Sequence, residues 1–306
     1  MTAGWVAAAT RGRALVGHLA GPASAKAIAL ADWNTARRLL TATVYGRDLP
    51  PSADRAAARR AAMTGTLWQL RVLAGWFPPG QGLLARLLAA PLELVNIEGH
   101  VADLSGQEAE PPLPLGSLAV AWPRVAGART PAQVRSALAR SVWGDPGGVE
   151  PTEIALGLRL GLARRLHRRS APLARWGTGV AAVLVARERF AFGRQLDREA
   201  GRTADELLGR RWRGAATVAE LGRALPESAA WALAGIATAE DLWRAEAELV
   251  RTVGREAQAL VDSRRDHRSA VIGAMTLLLV DLRRIVAAID LAGMGPQVGE
   301  VFDAVA

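Results

Sequence analysis

Hydrophobic positions recur at helical spacing through most of the chain, and clusters of proline and glycine interrupt them at intervals. The breaks are LPPS (49–52), FPPGQG (77–82), EPPLP (110–114), GDPGG (144–148), LPES (225–228) and GMGP (293–296). Between them stand helix start signals. Thr130 followed by Pro131 fits an N-cap with proline at the first helical position. Thr203 with Glu206, and Thr238 with Asp241, have capping-box spacing. The segment 237–261 sets Leu242, Leu249, Val253 and Leu260 near one face, with charges opposite. The stretch ALGLRLGL (155–162) alternates with period two, as a strand would. Its place between Pro151 and the charged run RRLHRR (164–169) predicts a helix instead, with Gly157 and Gly161 letting a neighbouring helix approach. The pattern predicts an all-α protein.

A motif recurs at long period. ADWNTARRLLTATVYG (31–46) aligns with RTPAQVRSALARSVWG (129–144), pairing Arg37 with Arg135, Leu40 with Leu138, Val44 with Val142, Tyr45 with Trp143 and Gly46 with Gly144. A third copy, ATVAELGRALPES (216–228), places Thr217 on Thr130, Ala219 on Ala132, Leu225 on Leu138 and Ser228 on Ser141. The offsets are too long for a short solenoid. They predict three similar helical domains, 1–108, 109–212 and 213–306, each with a short helix followed by longer helices that supply the core.

Composition narrows the chemistry. The chain has 306 residues with no cysteine, which removes disulfides, thiolate nucleophiles, Cys–zinc sites and iron–sulfur clusters. Thirty-eight basic residues against 29 acidic ones give a net charge of +9, and Lys26 is the only lysine. The longest uncharged runs, 111–123, 269–280 and 72–85, fall short of the roughly 20 apolar residues of a membrane span. Arg11 and Arg13 precede ALVGHLAGPASA (14–25), whose Ala-Ser-Ala ending has the look of a cleavage site. The late charges, His18 and Pro22 argue against a signal peptide.

The densest basic cluster is RRLHRRSAPLAR (164–175), where Arg164 and Arg168 share one helix face and Arg165 and Arg169 another. Arg210, Arg211 and Arg213 add an arginine–aromatic run around Trp212. These seven arginines are the expected partner-binding patch, suited to phosphate or carboxylate groups. Nucleic acid is the rival ligand, although basic and acidic residues interleave along much of the chain. GTGVAA (177–182), with Asp197 about twenty residues on, matches a dinucleotide fingerprint. The proline-containing SAPLARW before it is no β-strand, so the match is expected to fail. Lys26 lacks the glycines of a Walker loop, and GMGPQVG (293–299) fits a helix stop. His100 and Glu98 fall on different helix faces. Asp262, Asp266 and His267 lie among Arg264, Arg265 and Arg268, whose charges would oppose a cation. No catalytic, cofactor or metal site is expected, and none of the Ser, His and acidic residues forms a readable triad.

The three-fold motif of the L-x-x-(T/S)-V-(Y/W)-G type resembles the central-axis C subunit of A-type and V-type ATPases, called the d subunit in eukaryotes. Glu93 and Asn96 in ELVNIEGHV (93–101) stand where that family has an acidic-x-x-Asn helix. VIGAMTLLLVDLRRIVAAIDLAGMGPQVGEVF (271–302), with Arg284 and Ile285, is similar to its last long helix and terminal turn. The closing helix departs from the family in reading Val280-Asp281-Leu282-Arg283-Arg284 with no asparagine, and the region Trp176–Glu188 lacks the motif too. The resemblance implies a funnel of three helical domains in pseudo-three-fold arrangement. It implies a non-catalytic adaptor, peripheral at the cytoplasmic membrane face, that joins the rotor stalk subunits to the ion-translocating ring and supports proton transport. The alternative is an Arg-rich helical scaffold or nucleic-acid-associated protein.

Overall fold

The computed structural model describes residues 3–263, 266–295 and 297–305, and these are helical with no strand. In chain order the helices are α1 (Ala3–Val16), α2 (Gly21–Leu30), α3 (Trp33–Thr41), α4 (Arg55–Gly75), α5 (Gly82–Leu88) and α6 (Ala90–Leu104). There follow α7 (Trp122–Val125), α8 (Pro131–Ala139), α9 (Pro151–His167), α10 (Ala171–Ala186), α11 (Arg198–Leu208) and α12 (Val218–Ala224). The last four are α13 (Glu227–Ala230), α14 (Leu242–Asp262), α15 (His267–Leu291) and α16 (Val298–Val305). None is long and apolar enough to cross a membrane among the described residues.

The chain divides into two compact units. One comprises Met1–Leu92, Leu113–Leu118 and Val250–Ala306; the other comprises Glu93–Pro112 and Ala119–Leu249. In the first unit α15 is the axis, with α1, α2 and α4 packed on it. Its apolar residues face every side: Val271, Ile272, Met275, Leu278, Ile285 and Ile289 are all buried. A helix apolar all round has to be a core helix. In the second unit α9 and α10 form an antiparallel pair, joined by α11 and α13. Leu156, Leu160, Val185, Leu207, Leu208, Trp212, Leu221 and Leu233 share its core.

The period-two stretch 155–162 is helical, inside α9. The element that approaches its glycines is a loop rather than the neighbouring helix expected: a Cβ on Gly157 would lie 2.0 Å from Pro146 O, and one on Gly161 would lie 3.1 Å from Trp143 O. Thr203 and Glu206 lie within α11, whose N-cap is Asp197, so they form no capping box. Thr238 does donate to Asp241 (3.1 Å), but α14 begins only at Leu242. The expected stripe on α14 is also displaced. Leu242 is buried while Leu249, Val253 and Leu260 are half-buried, and the buried line continues through Ala245, Ala257 and Val261. Small residues there allow close packing: a Cβ on Gly273 of α15 would come 2.4 Å from Ala257 O.

The recurring motif has recurring geometry. Each copy opens on a side-chain cap, with Asp32 accepting from Thr35 N (3.0 Å), Thr130 from Gln133 N (3.3 Å) and Thr217 from Glu220 N (3.2 Å). In the first two copies the closing turn is built identically. Thr43 Oγ1 donates to Leu40 O (2.7 Å) and accepts from Tyr45 N (3.2 Å); Ser141 Oγ donates to Leu138 O (2.7 Å) and accepts from Trp143 N (3.1 Å). The shared glycine is required twice over. A Cβ on Gly46 would meet Leu40 O at 2.4 Å, and Gly144 has φ +79°. The third copy departs here, running through Leu225-Pro226 into α13 with no aromatic–glycine turn.

Candidate interaction site

The aromatic residues of the two matching turns reach buried carboxyl groups. In the second unit Glu93, in the first turn of α6, is 1% exposed. Its Oε1 accepts from the backbone N–H groups of Val120 (2.6 Å), Ala121 (2.8 Å) and Trp122 (2.9 Å), while Oε2 accepts from Trp143 Nε1 (3.0 Å). In the first unit Asp281, 2% exposed in mid-α15, does the same work. Its Oδ1 accepts from Gly21 N (2.9 Å), and its Oδ2 from Ala20 N (2.9 Å) and Tyr45 Oη (2.8 Å). Burial, reinforced by the nearby Asp281, pushes the Tyr45 hydroxyl well above its ordinary pKa, so it remains a donor at neutral pH. Each carboxyl group gathers donors from segments distant in sequence, and a buried acceptor with its donors satisfied holds those segments in one register. A third polar residue, Thr178 in α10, is 1% exposed and donates to Ser228 O (2.7 Å), in the third copy of the motif.

Five of the seven arginines of the expected patch are exposed, and three of those five lie against acids. Arg165 is half-buried, with its guanidinium 4.6 Å from the centre of the Trp143 ring. Burial lowers its pKa to about 10 despite the opposing pull of Glu93, and its Nη1 finds no hydrogen-bond partner among the described residues. Arg168 donates to Glu206 (2.6 Å), Arg213 forks onto Asp205 (2.8 and 3.1 Å), and Arg210 lies 3.9 Å from the same Asp205. Both basic runs thus converge on the C-terminal half of α11, whose two acids neutralise them. Arg164 is half-buried; Arg169 and Arg211 remain as exposed cations with no ion pair among the described residues. Glu206 is 38 residues from Arg168 and Asp205 is 8 from Arg213, so the fold decides which arginines are paired.

The lowered pKa of Arg165 carries a prediction. A base whose folded pKa falls below its unfolded value destabilises the protein at all pH below the folded value. Arg165→Met keeps the stacking stem and removes the charge, so it is expected to leave stability at pH 7 unchanged or raise it by about 1–2 kcal/mol. A urea midpoint that falls by the equivalent of more than about 1 kcal/mol would show that the charge itself stabilises the unit.

The remaining candidates have structural roles. GTGVAA lies in the middle of α10, where Gly177 admits Ala163 O (2.4 Å from a Cβ) and Gly179 admits the Trp231 ring (2.4 Å). Asp197 caps α11 through Glu199 N (2.7 Å) and Ala200 N (2.9 Å). Lys26 pairs with Asp303 (2.5 Å). Gly293 and Gly295 have positive φ after α15, as a helix stop requires; Pro296 lies outside the described residues. His100 Nε2 is 2.9 Å from Ala128 O, and Glu98, its pKa raised by burial, pairs with Arg159 (2.9 Å). Asp266 caps α15 at Ser269 N (3.0 Å), and Asp262 accepts from Gln258 (2.9 Å); Arg264 and Arg265 lie outside the described residues. Among the described residues no three His, Asp or Glu side chains are grouped as a metal site. No protein-family model matches the chain, and no curated protein matches it in sequence.

Proposed function

We propose that the chain is a non-catalytic adaptor of a V-type or A-type rotary ATPase, joining the central rotor stalk to the membrane ion-translocating ring in support of proton transport. In this reading it consists of three helical repeats in pseudo-three-fold order and sits peripherally at the cytoplasmic face. The observation that carries it is the order of the three polar ties. Glu93, at the end of the first repeat, holds the turn of the second at Trp143. Thr178, in the second, holds the third at Ser228. Asp281, in the third, holds the first at Tyr45. Polar ties that link each repeat to another are what three similar repeats acting as one part require. Glu93 and the Tyr45 and Trp143 turns are also residues on which the ATPase resemblance rests. A part that transmits torque must resist shear, and satisfied buried polar ties impose a steep cost on slippage. The nucleic-acid reading has less to stand on, because three of the seven arginines that suggested it lie against Asp205 and Glu206.

Affinity purification of the tagged protein from gently solubilised native membranes, followed by mass spectrometry, is expected to bring down stalk and ring subunits in stoichiometric amounts. Recovery of the protein alone, or with nucleic acid, would overturn the adaptor role and leave the helical fold standing.

A further inference from the structure

The positive charge is unevenly placed. Residues 1–92 hold 11 basic and 3 acidic side chains, so they contribute +8 of the net +9. From Arg55 to Leu92 there are five arginines and no acid. Within that stretch the loop WFPPGQG (76–82) links α4 to α5; Trp76 at its start is 52% exposed, and Leu83, the second residue of α5, is 56% exposed. The loop is braced from beneath. Phe77 packs on Trp5 of α1 with ring centres 5.0 Å apart, and a Cβ on Gly4 would lie 3.0 Å from Trp76 O and 3.2 Å from Pro78 N. Arg268 lies 6.0 Å from the Trp5 ring centre. Arg86, one turn beyond Leu83, is exposed and donates to Ser117 O (3.1 Å).

We propose that this loop, with Trp76 at its start, Leu83 just past its end and Arg86 one turn further on, is a contact surface for an anionic lipid bilayer. Exposed tryptophan and leucine side chains can enter the headgroup boundary, where the ring is buried and the indole N–H still finds partners. Pro78 and Pro79 restrict the loop, so little ordering is lost on contact. Residues 1–92 carry a net charge of +8 and so favour anionic headgroups, an exposed cation contributing about 1 kcal/mol close to a charged membrane. Two exposed apolar side chains at the two ends of this loop suit insertion into lipid. They are a poor match for a protein partner, which would need about 800 Å² of complementary surface on each side. The inference names the membrane-facing surface of the adaptor but does not depend on the ATPase reading, since it concerns the isolated chain.

The test is co-sedimentation of the purified full chain with vesicles of phosphatidylcholine alone, or containing about a third phosphatidylglycerol. Binding is expected to the anionic vesicles and to weaken with salt. The double variant Trp76→Ser/Leu83→Ser is expected to reduce the partition coefficient about tenfold. Both side chains are exposed, so its circular dichroism spectrum and thermal midpoint should match those of the parent. Arg169→Ser/Arg211→Ser, on the second unit, should bind nearly as the parent does. Bromine-labelled lipid should quench the parent's fluorescence more than that of Trp76→Phe. Failure to prefer anionic vesicles would overturn the proposal, as would equal binding by the Trp76/Leu83 variant. Loss of subunit co-purification in that variant without any vesicle binding would assign the loop to a protein partner and also overturn it. Vesicle binding with no ATPase subunits recovered from membranes would leave this surface intact and remove only the adaptor role.

Discussion

Glu93→Ala is expected to cost the second unit about 4 kcal/mol, a large share of the 5–15 kcal/mol that typically separates folded from unfolded chains. The substitution removes the acceptor of three backbone N–H groups and the Trp143 indole, all at a site that is 1% exposed. None of these donors can turn to water without opening the packing of α6 against the 120–122 segment. It also strips Arg165 of the nearby negative group that opposes its desolvation. Glu93→Gln should cost less, about 2 kcal/mol, because its carbonyl oxygen still accepts while its amide hydrogens face another donor. Trp143→Phe removes only one of the four donors and should cost about 1 kcal/mol. Urea unfolding followed by circular dichroism gives the ranking, and a loss below about 1 kcal/mol for Glu93→Ala would show that the junction does not hold the unit together. Because the chain forms two compact units, two transitions are the expected form of the curve, and only one should move.

Two glycine-to-alanine substitutions in the second unit should change stability in opposite directions. Both residues lie inside helices, where alanine is ordinarily favoured over glycine by about 1 kcal/mol. At Gly99 in α6 a Cβ meets nothing within 4 Å, so Gly99→Ala should stabilise by roughly 0.5–1 kcal/mol. At Gly157 in α9 the Cβ would sit 2.0 Å from the backbone oxygen of Pro146, which cannot rotate away. Gly157→Ala must therefore push the 144–148 loop off the helix, and the loss is expected to be about 2–3 kcal/mol. That loop follows the Trp143 turn directly, so the damage should extend to the Glu93 junction. The same urea curves measure both variants. A neutral or stabilising Gly157→Ala would mean that the loop is not seated on α9.

Local signals in the sequence were reliable where the cause was local. Thr130 caps α8 because its hydroxyl needs only the amide three residues on. The alternating stretch 155–162 is helical because Pro151 starts a helix and length favours continuation. The Thr203–Glu206 pair misled for the opposite reason: its spacing satisfies a capping box, but Asp197 captures the free amides first and leaves Thr203 in mid-helix. The repeated Tyr/Trp–Gly turn is visible as a pattern, and Glu93 is marked by resemblance while Asp281 falls where the resemblance departs, yet nothing in the pattern joins the turns to these acids. Glu93 and Trp143 are 50 residues apart, and Asp281 and Tyr45 are 236 apart. Trp76 and Leu83 carry no such signal, because a Trp-Phe-Pro-Pro run reads equally well as buried or exposed.

By itself, then, the sequence determined that the protein is helical, that Thr130 and Pro151 start helices, that a short helix recurs three times, and that cysteine chemistry is excluded. These depend on interactions within a few residues, and the spacing along the chain records them. Tertiary structure alone decided which arginines are spent on Asp205 and Glu206, why Gly157 and Gly177 carry no side chain, and which buried carboxyl group each aromatic turn meets. Charge pairing and close approach depend on what another segment brings to the same place, and that distance is set only when the chain folds.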